Sequence, residues 1–60
     1  MLSRNRLLDV IRGQTAMCIA NHVSAGNLRS AIEILSWYDS YGDCSVEELE
    51  EIALERGLIE

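Results

Sequence analysis

Two short breaks, Ser24-Ala25-Gly26-Asn27 and Gly42-Asp43-Cys44, divide this chain into three stretches in which apolar residues recur at helical spacing. No stretch alternates apolar and polar residues as a half-buried strand would, no internal repeat is visible, and proline is absent. The pattern predicts an all-α fold: one domain over residues 1–60 containing three helices. The chain has only 60 residues, and a chain of that size buries about 60% of the surface it exposes when unfolded. Domains this small usually draw on disulfides, a metal or a second subunit for stability.

The first stretch predicts a helix starting near Ser3 to Arg6 and ending at His22 or Ser24. On it Leu7, Leu8, Ile11, Thr15, Cys18, Ile19 and His22 share one face, with Val10 and Met17 on a flank. Gly13, Ala16 and Ala20 form a second, narrower stripe of small residues. A glycine inside a helix costs about 1 kcal/mol relative to alanine. Two readings fit it: a neighbouring backbone approaches along the stripe, or Gly13 marks a kink or a late helix start. A helix that is apolar on more than one side calls for more than one neighbour, and a second copy of the chain can be one of them.

At the first break Gly26 suits the left-handed conformation that closes a helix, and Asn27 suits the cap of the next. Helix 2 is predicted from about Leu28 to Tyr41. Leu28, Ala31, Ile32, Leu35 and Tyr38 form its core stripe, widened by Ile34 and Tyr41, with the tyrosine hydroxyls turned outward. Trp37 falls off that stripe, among Ser30, Glu33 and Ser36. It is either covered by another element or offered to a partner, and tryptophan is prominent at binding hot spots. Gly42 ends the helix. Ser45-Val46-Glu47-Glu48 then reads as a capping box that opens helix 3, from Val46 to about Arg56. Val46, Leu49, Ile52 and Ala53 face inward there, while Glu47, Glu50, Glu51 and Glu55 lie largely on other faces. Gly57 supplies a left-handed stop and Leu58 folds back. Helices 1 and 2 should form an antiparallel hairpin with the short acidic helix 3 packed across it.

Charge is unevenly divided. The net charge is −5. Residues 1–29 hold four arginines against Asp9, a balance of +3, and residues 30–60 hold nine carboxylates against Arg56, a balance of −8. An acidic total disfavours general nucleic-acid binding, which needs a basic footprint. Two charge-based alternatives stay open: a nucleic-acid-associated regulator that uses the basic N-terminal half, and an acidic mimic of a nucleic-acid backbone. Helix 3, where a helix-turn-helix reader would carry its recognition side chains, is strongly acidic. The longest apolar run, Ala16 to Ala20, is far too short for a membrane span or a signal-peptide core. The expected setting is cytoplasmic, with Cys18 and Cys44 as reduced thiols; an intrachain disulfide is the alternative.

Candidate chemistry is sparse. Cys18 and His22, four apart on one helical face, could share a metal with the same pair of a second copy. Within the chain the usual ligand count is missing, and the plainer reading is a small core thiol beside a rim histidine. Cys44 precedes a helix N-terminus, which would activate a thiol, but Asp43, Glu47 and Glu48 oppose a thiolate. Its position also suits a hydrophobic staple onto Leu49. No phosphate-binding glycine loop, calcium loop or pair of contrasting carboxyls is present, so no enzyme activity, cofactor or metal is expected.

The stretch Ser45 to Leu58, SVEELEEIALERGL, resembles the first helix of small helix-extended-loop-helix or Rho-N-terminal-like modules, over about a quarter of the chain. The basic loop and second helix of such a module have no counterpart before Glu60, so no functional residue is carried over. In size and style the chain also resembles the small accessory proteins of bacteriophages and other mobile elements, which implies modulation of a host protein. The expectation is a small regulatory or adaptor protein that binds protein chains, its own copy included. Its contact surface is expected at Leu7, Leu8, Ile11, Gly13, Ala16, Met17, Ala20, Trp37 and Tyr41.

Overall fold

The computed structural model describes residues 2–59; Met1 and Glu60, the ends of the expected domain, lie outside the described residues. Among the described residues the fold is all-helical. Helix α1 spans Arg4–Ser24, α2 spans Leu28–Ser40, a single 3₁₀ turn follows at Tyr41–Asp43, and α3 spans Val46–Glu55.

The helix ends are set by local chemistry. Ser3 caps α1, its hydroxyl accepting from the Arg6 amide at 3.2 Å. At the other end Gly26 turns left-handed at φ +82°, and the Asn27 and Gly26 amides donate back to the His22 and Val23 carbonyls. These paired bonds satisfy carbonyls that a helix end otherwise leaves open. Asn27 stands at the cap position of α2, but its side chain makes no capping bond. The close of α3 repeats the first motif: Gly57 has φ +70°, Leu58 donates to the Ala53 carbonyl at 2.9 Å and Gly57 to that of Leu54 at 3.1 Å.

Helix α1 begins at Arg4 and runs unbroken through Gly13, so the late start is set aside. The close-approach reading is not met within the chain either. Gly13, Ala16 and Ala20 are exposed, and a Cβ placed on Gly13 would touch nothing. Gly42 plays a different part from a left-handed stop. It sits in the 3₁₀ turn, where a Cβ would come within 3.2 Å of the Arg12 guanidinium.

Helix α1 is the element against which both other helices pack. The sealed core lies at its N-terminal half, where Leu7, Leu8 and Ile11 meet Tyr41, Leu49 and Ala53. Leu7, Ile11 and Leu49 are fully enclosed. Val46, Ile52, Leu58, Ile59 and Cys44 close around this cluster, which fits Cys44 as the staple onto Leu49. Arg4 ties the link before α3 to α1 by donating to the Gly42 and Cys44 carbonyls.

Helix α2 departs from expectation. Of its predicted core stripe only Ala31 is buried as a helical residue; Leu28, Ile32 and Leu35 are open to solvent and Tyr38 is half-buried. The cause is length. At about 1.5 Å per residue, the ten residues of α3 cover roughly half of the 21-residue α1. They cover the half that carries Leu7 and Ile11, so nothing among the described residues reaches over the stripe of α2.

The capping box of α3 is complete: the Glu48 amide donates to Ser45 Oγ at 3.2 Å, and the Ser45 amide to Glu48 Oε1 at 3.0 Å. The Ser45 backbone bond, then the Ser45 side chain, hold the Glu48 carboxyl below the ordinary carboxylate range. Because the folded value lies below the unfolded one, this contribution is complete above the unfolded value and is lost as pH falls through the folded one. Ser45→Ala is expected to lower stability by about 1 kcal/mol in thermal or denaturant unfolding. Because Ser45→Ala leaves the Ser45 amide bonded to Glu48, the acid limb is tested by Glu48→Gln, which should show a shallower loss of stability below about pH 5 than the parent; an unchanged acid limb would show that the box is not formed.

Candidate functional site

The predicted contact residues divide into two groups. Leu7, Leu8, Ile11 and Tyr41 are core residues of this chain, with exposures of 0–7%, and are not available to a partner. They face α3, whose coverage of that half of α1 a pattern confined to α1 does not reveal. Gly13, Ala16, Met17 and Ala20 lie on the exposed side of α1, and Trp37 is 52% exposed.

Two clefts flank the seam of α1 and α2, and they share no lining residue. The first is lined only by apolar side chains: Ile19 and Val23 from α1, with Leu28, Ala31, Ile32 and Leu35 from α2, around about 260 Å³. Leu28 is 60% exposed and Ile32 is 68% exposed. Burying a side chain of this kind fully is worth about 1.5–3 kcal/mol, so each of these leaves much of its gain unrealised in a single chain.

The second cleft, about 240 Å³, is mixed in character. Gln14, Thr15, Cys18 and His22 of α1 form one side, Ile34 and Trp37 of α2 the other, and Arg56 reaches in from the end of α3. Cys18 and His22 thus do share a cleft, as their spacing suggested, and the Gln14 amide donates to Cys18 Sγ at 3.4 Å. Among the described residues no cluster of three metal-ligating side chains forms.

Arg56 is the residue the sequence pattern did not single out. Its guanidinium donates to Tyr41 Oη at 2.8 Å, to Gln14 Oε1 at 3.1 Å and to Thr15 Oγ1 at 3.3 Å, and lies 5.5 Å from the Tyr41 ring centre. The Thr15 hydroxyl donates in turn to the Ile11 carbonyl at 2.8 Å. The Tyr41 hydroxyl, expected to point outward, therefore sits inside this network. A signal was present: Thr15 and Tyr41 fall on core stripes, and their buried oxygens need partners. A cation at the C-cap of α3 also suits the helix dipole.

Arg12 is engaged too. Its guanidinium lies over Tyr38 at 5.3 Å, with Nε buried and without a hydrogen-bond partner among the described residues. With Arg4 held by two carbonyls, two of the four N-terminal arginines are committed within the chain. Among the described residues no helix is long and apolar enough to cross a membrane. No family model matches the chain, and neither a curated protein nor a solved structure is significantly similar to it.

Removing the Tyr41 hydroxyl leaves Arg56 one acceptor short and Thr15 without its neighbour at 3.4 Å. Tyr41→Phe is expected to lower stability by about 1 kcal/mol, read from thermal unfolding. Gly42 has an ordinary φ, and a Cβ there meets only the far end of the Arg12 side chain, which has to give by a few tenths of an ångström.

Proposed function

We propose that this chain is a small regulatory or adaptor protein that works through protein–protein contact, and that it pairs with a second copy of itself. The observation that carries the reading is the open, wholly apolar cleft of Ile19, Val23, Leu28, Ala31, Ile32 and Leu35. In this reading α1 and α2 form an antiparallel hairpin whose uncovered seam is the contact surface; the exposed Gly13, Ala16, Met17 and Ala20 lie outside the lining of that cleft.

Charge favours a second copy as the occupant. Two chains of net charge −5 repel, but residues 13–28 contain no Asp, Glu, Lys or Arg, and the cleft lining is equally free of charge. Copies that meet there keep their carboxylates at the periphery, where salt screens them within about 8 Å. The gain from completing the burial of the half-open side chains on both copies is of order 10 kcal/mol, set against about 4–15 kcal/mol lost on association. At the favourable end the net gain is about 6 kcal/mol, which corresponds to a weak dimer with a dissociation constant of roughly tens of micromolar. The nucleic-acid reading gains no comparable support, because Arg4 and Arg12 are occupied inside the chain.

Sedimentation across about 1 µM to 1 mM should show the mass rise from one chain to two. Ile32→Glu, which sets a carboxylate in the cleft, should stay monomeric over that range with its helix content retained. A parent chain that remains a monomer at the top of the range removes the proposal.

A further inference from the structure

We infer that the second cleft is a receptor for a single carboxylate side chain presented by a partner protein segment, with Arg56 as its anchor and Trp37 and Ile34 as the wall for the carbon stem. This site shares no residue with the self-association cleft, so either can fail without the other.

The anchor is the guanidinium of Arg56. Three of its five N–H groups are taken by Gln14, Thr15 and Tyr41, and all three acceptors are neutral oxygens. They fix the plane of Arg56 without cancelling its charge. One N–H on Nε and one on Nη2 carry no bond among the described residues, and two donors are what a carboxylate's two oxygens require. A guanidinium ordered beforehand loses little freedom when it binds, which is where such sites gain affinity.

The surroundings narrow the ligand. A cleft of about 240 Å³ is smaller than the roughly 300–1,000 Å³ of small-molecule sites, so it suits one side chain of a larger partner. Among the described residues Arg56 is the one permanent cation lining it, in a molecule of net charge −5. A monoanionic carboxylate is matched one to one, whereas a phosphate dianion would enter an acidic molecule half-neutralised. The half-exposed indole of Trp37 offers an apolar surface beside the cation, and aromatic residues paired with arginine are frequent anchors of protein interfaces.

Trp37 is the only tryptophan, so its emission and its indole N–H resonance report on this cleft alone. The probe is a leucine-glutamate-leucine tripeptide blocked at both ends, compared with its glutamine counterpart and with acetate. The glutamate peptide should give a saturable change, with the glutamine peptide and acetate each at least tenfold weaker, as expected for losing a charge-assisted bond or the apolar stem. Gln14→Glu supplies a carboxylate from within the chain, 3.1 Å from Arg56, keeping the bond that holds the fold while neutralising the anchor. It should fold as the parent does and bind the glutamate peptide at least tenfold more weakly. Arg56→Lys, which keeps the charge without the planar fork, should weaken binding by a smaller factor. No saturable change up to about 20 mM peptide, well above the millimolar scale of weak contacts, overturns the inference. Equal binding of the glutamine peptide, of acetate or by Gln14→Glu overturns it as well.

Discussion

Leu7 and Ile11 are enclosed by Leu49, Ala53 and Tyr41, and the rest of the molecule is arranged around that contact. It joins the two ends of the chain. It also fixes where α3 lies, and α3 is too short to lie anywhere else at the same time. Ten residues span about 15 Å against the roughly 31 Å of α1, so one half of α1 is sealed and the other is left with α2 alone. Two helices packed side by side cannot cover each other's flanks. The open clefts follow from that geometry and not from a poor choice of side chains; Ile19, Val23, Leu28, Ile32 and Leu35 are as apolar as the residues of the sealed core.

The polar contacts bind the ends of the sealed half. Arg4 clamps the Gly42 and Cys44 carbonyls at the start of α1, and Arg56 draws Gln14, Thr15 and Tyr41 together further along. Both are arginines bonded to neutral oxygens, in a chain with ten carboxylates. Bonds of this kind position a guanidinium while leaving its charge to act outward. Under the proposed binding role, one group would thereby serve both the fold and the cleft.

What was legible in the sequence was local. Gly26, Ser45 and Gly57 set helix ends through bonds between residues no more than five positions apart, and all three act as their chemistry foretold; Ser3, at the expected start of the first helix, caps it in the same local way. The inward face of helix 3 was equally readable, because a short amphipathic helix has one apolar side to bury. The stripe of α2 was read as core and is largely open. Periodicity shows which side chains share a face, but whether that face is covered depends on the length and position of another element. Leu7, Leu8, Ile11 and Tyr41 were placed at an interface for the same reason: the pattern marked them as apolar without telling which neighbour would cover them. Arg56 escaped notice because its partners lie at positions 14, 15 and 41, and no spacing rule joins a helix C-cap to a residue forty positions earlier.

The division of charge along the chain now has a structural counterpart. Carboxylates crowd α3, the helix whose inner face is already sealed, and its outward glutamates keep that half of the surface wet and mutually repulsive. The charge-free run from Gly13 to Leu28 begins where Arg56, at the end of α3, bonds Gln14 and Thr15, and continues through the turn to the start of α2. A surface that is both apolar and uncharged is a liability in a monomer, since nothing disfavours its indiscriminate burial. Set beside a strongly acidic half, it becomes selective. In the proposed pairing, approach by the acidic side would be repelled and approach by the neutral side would not, so the distribution of charge would determine which faces meet while the apolar surface supplies the attraction.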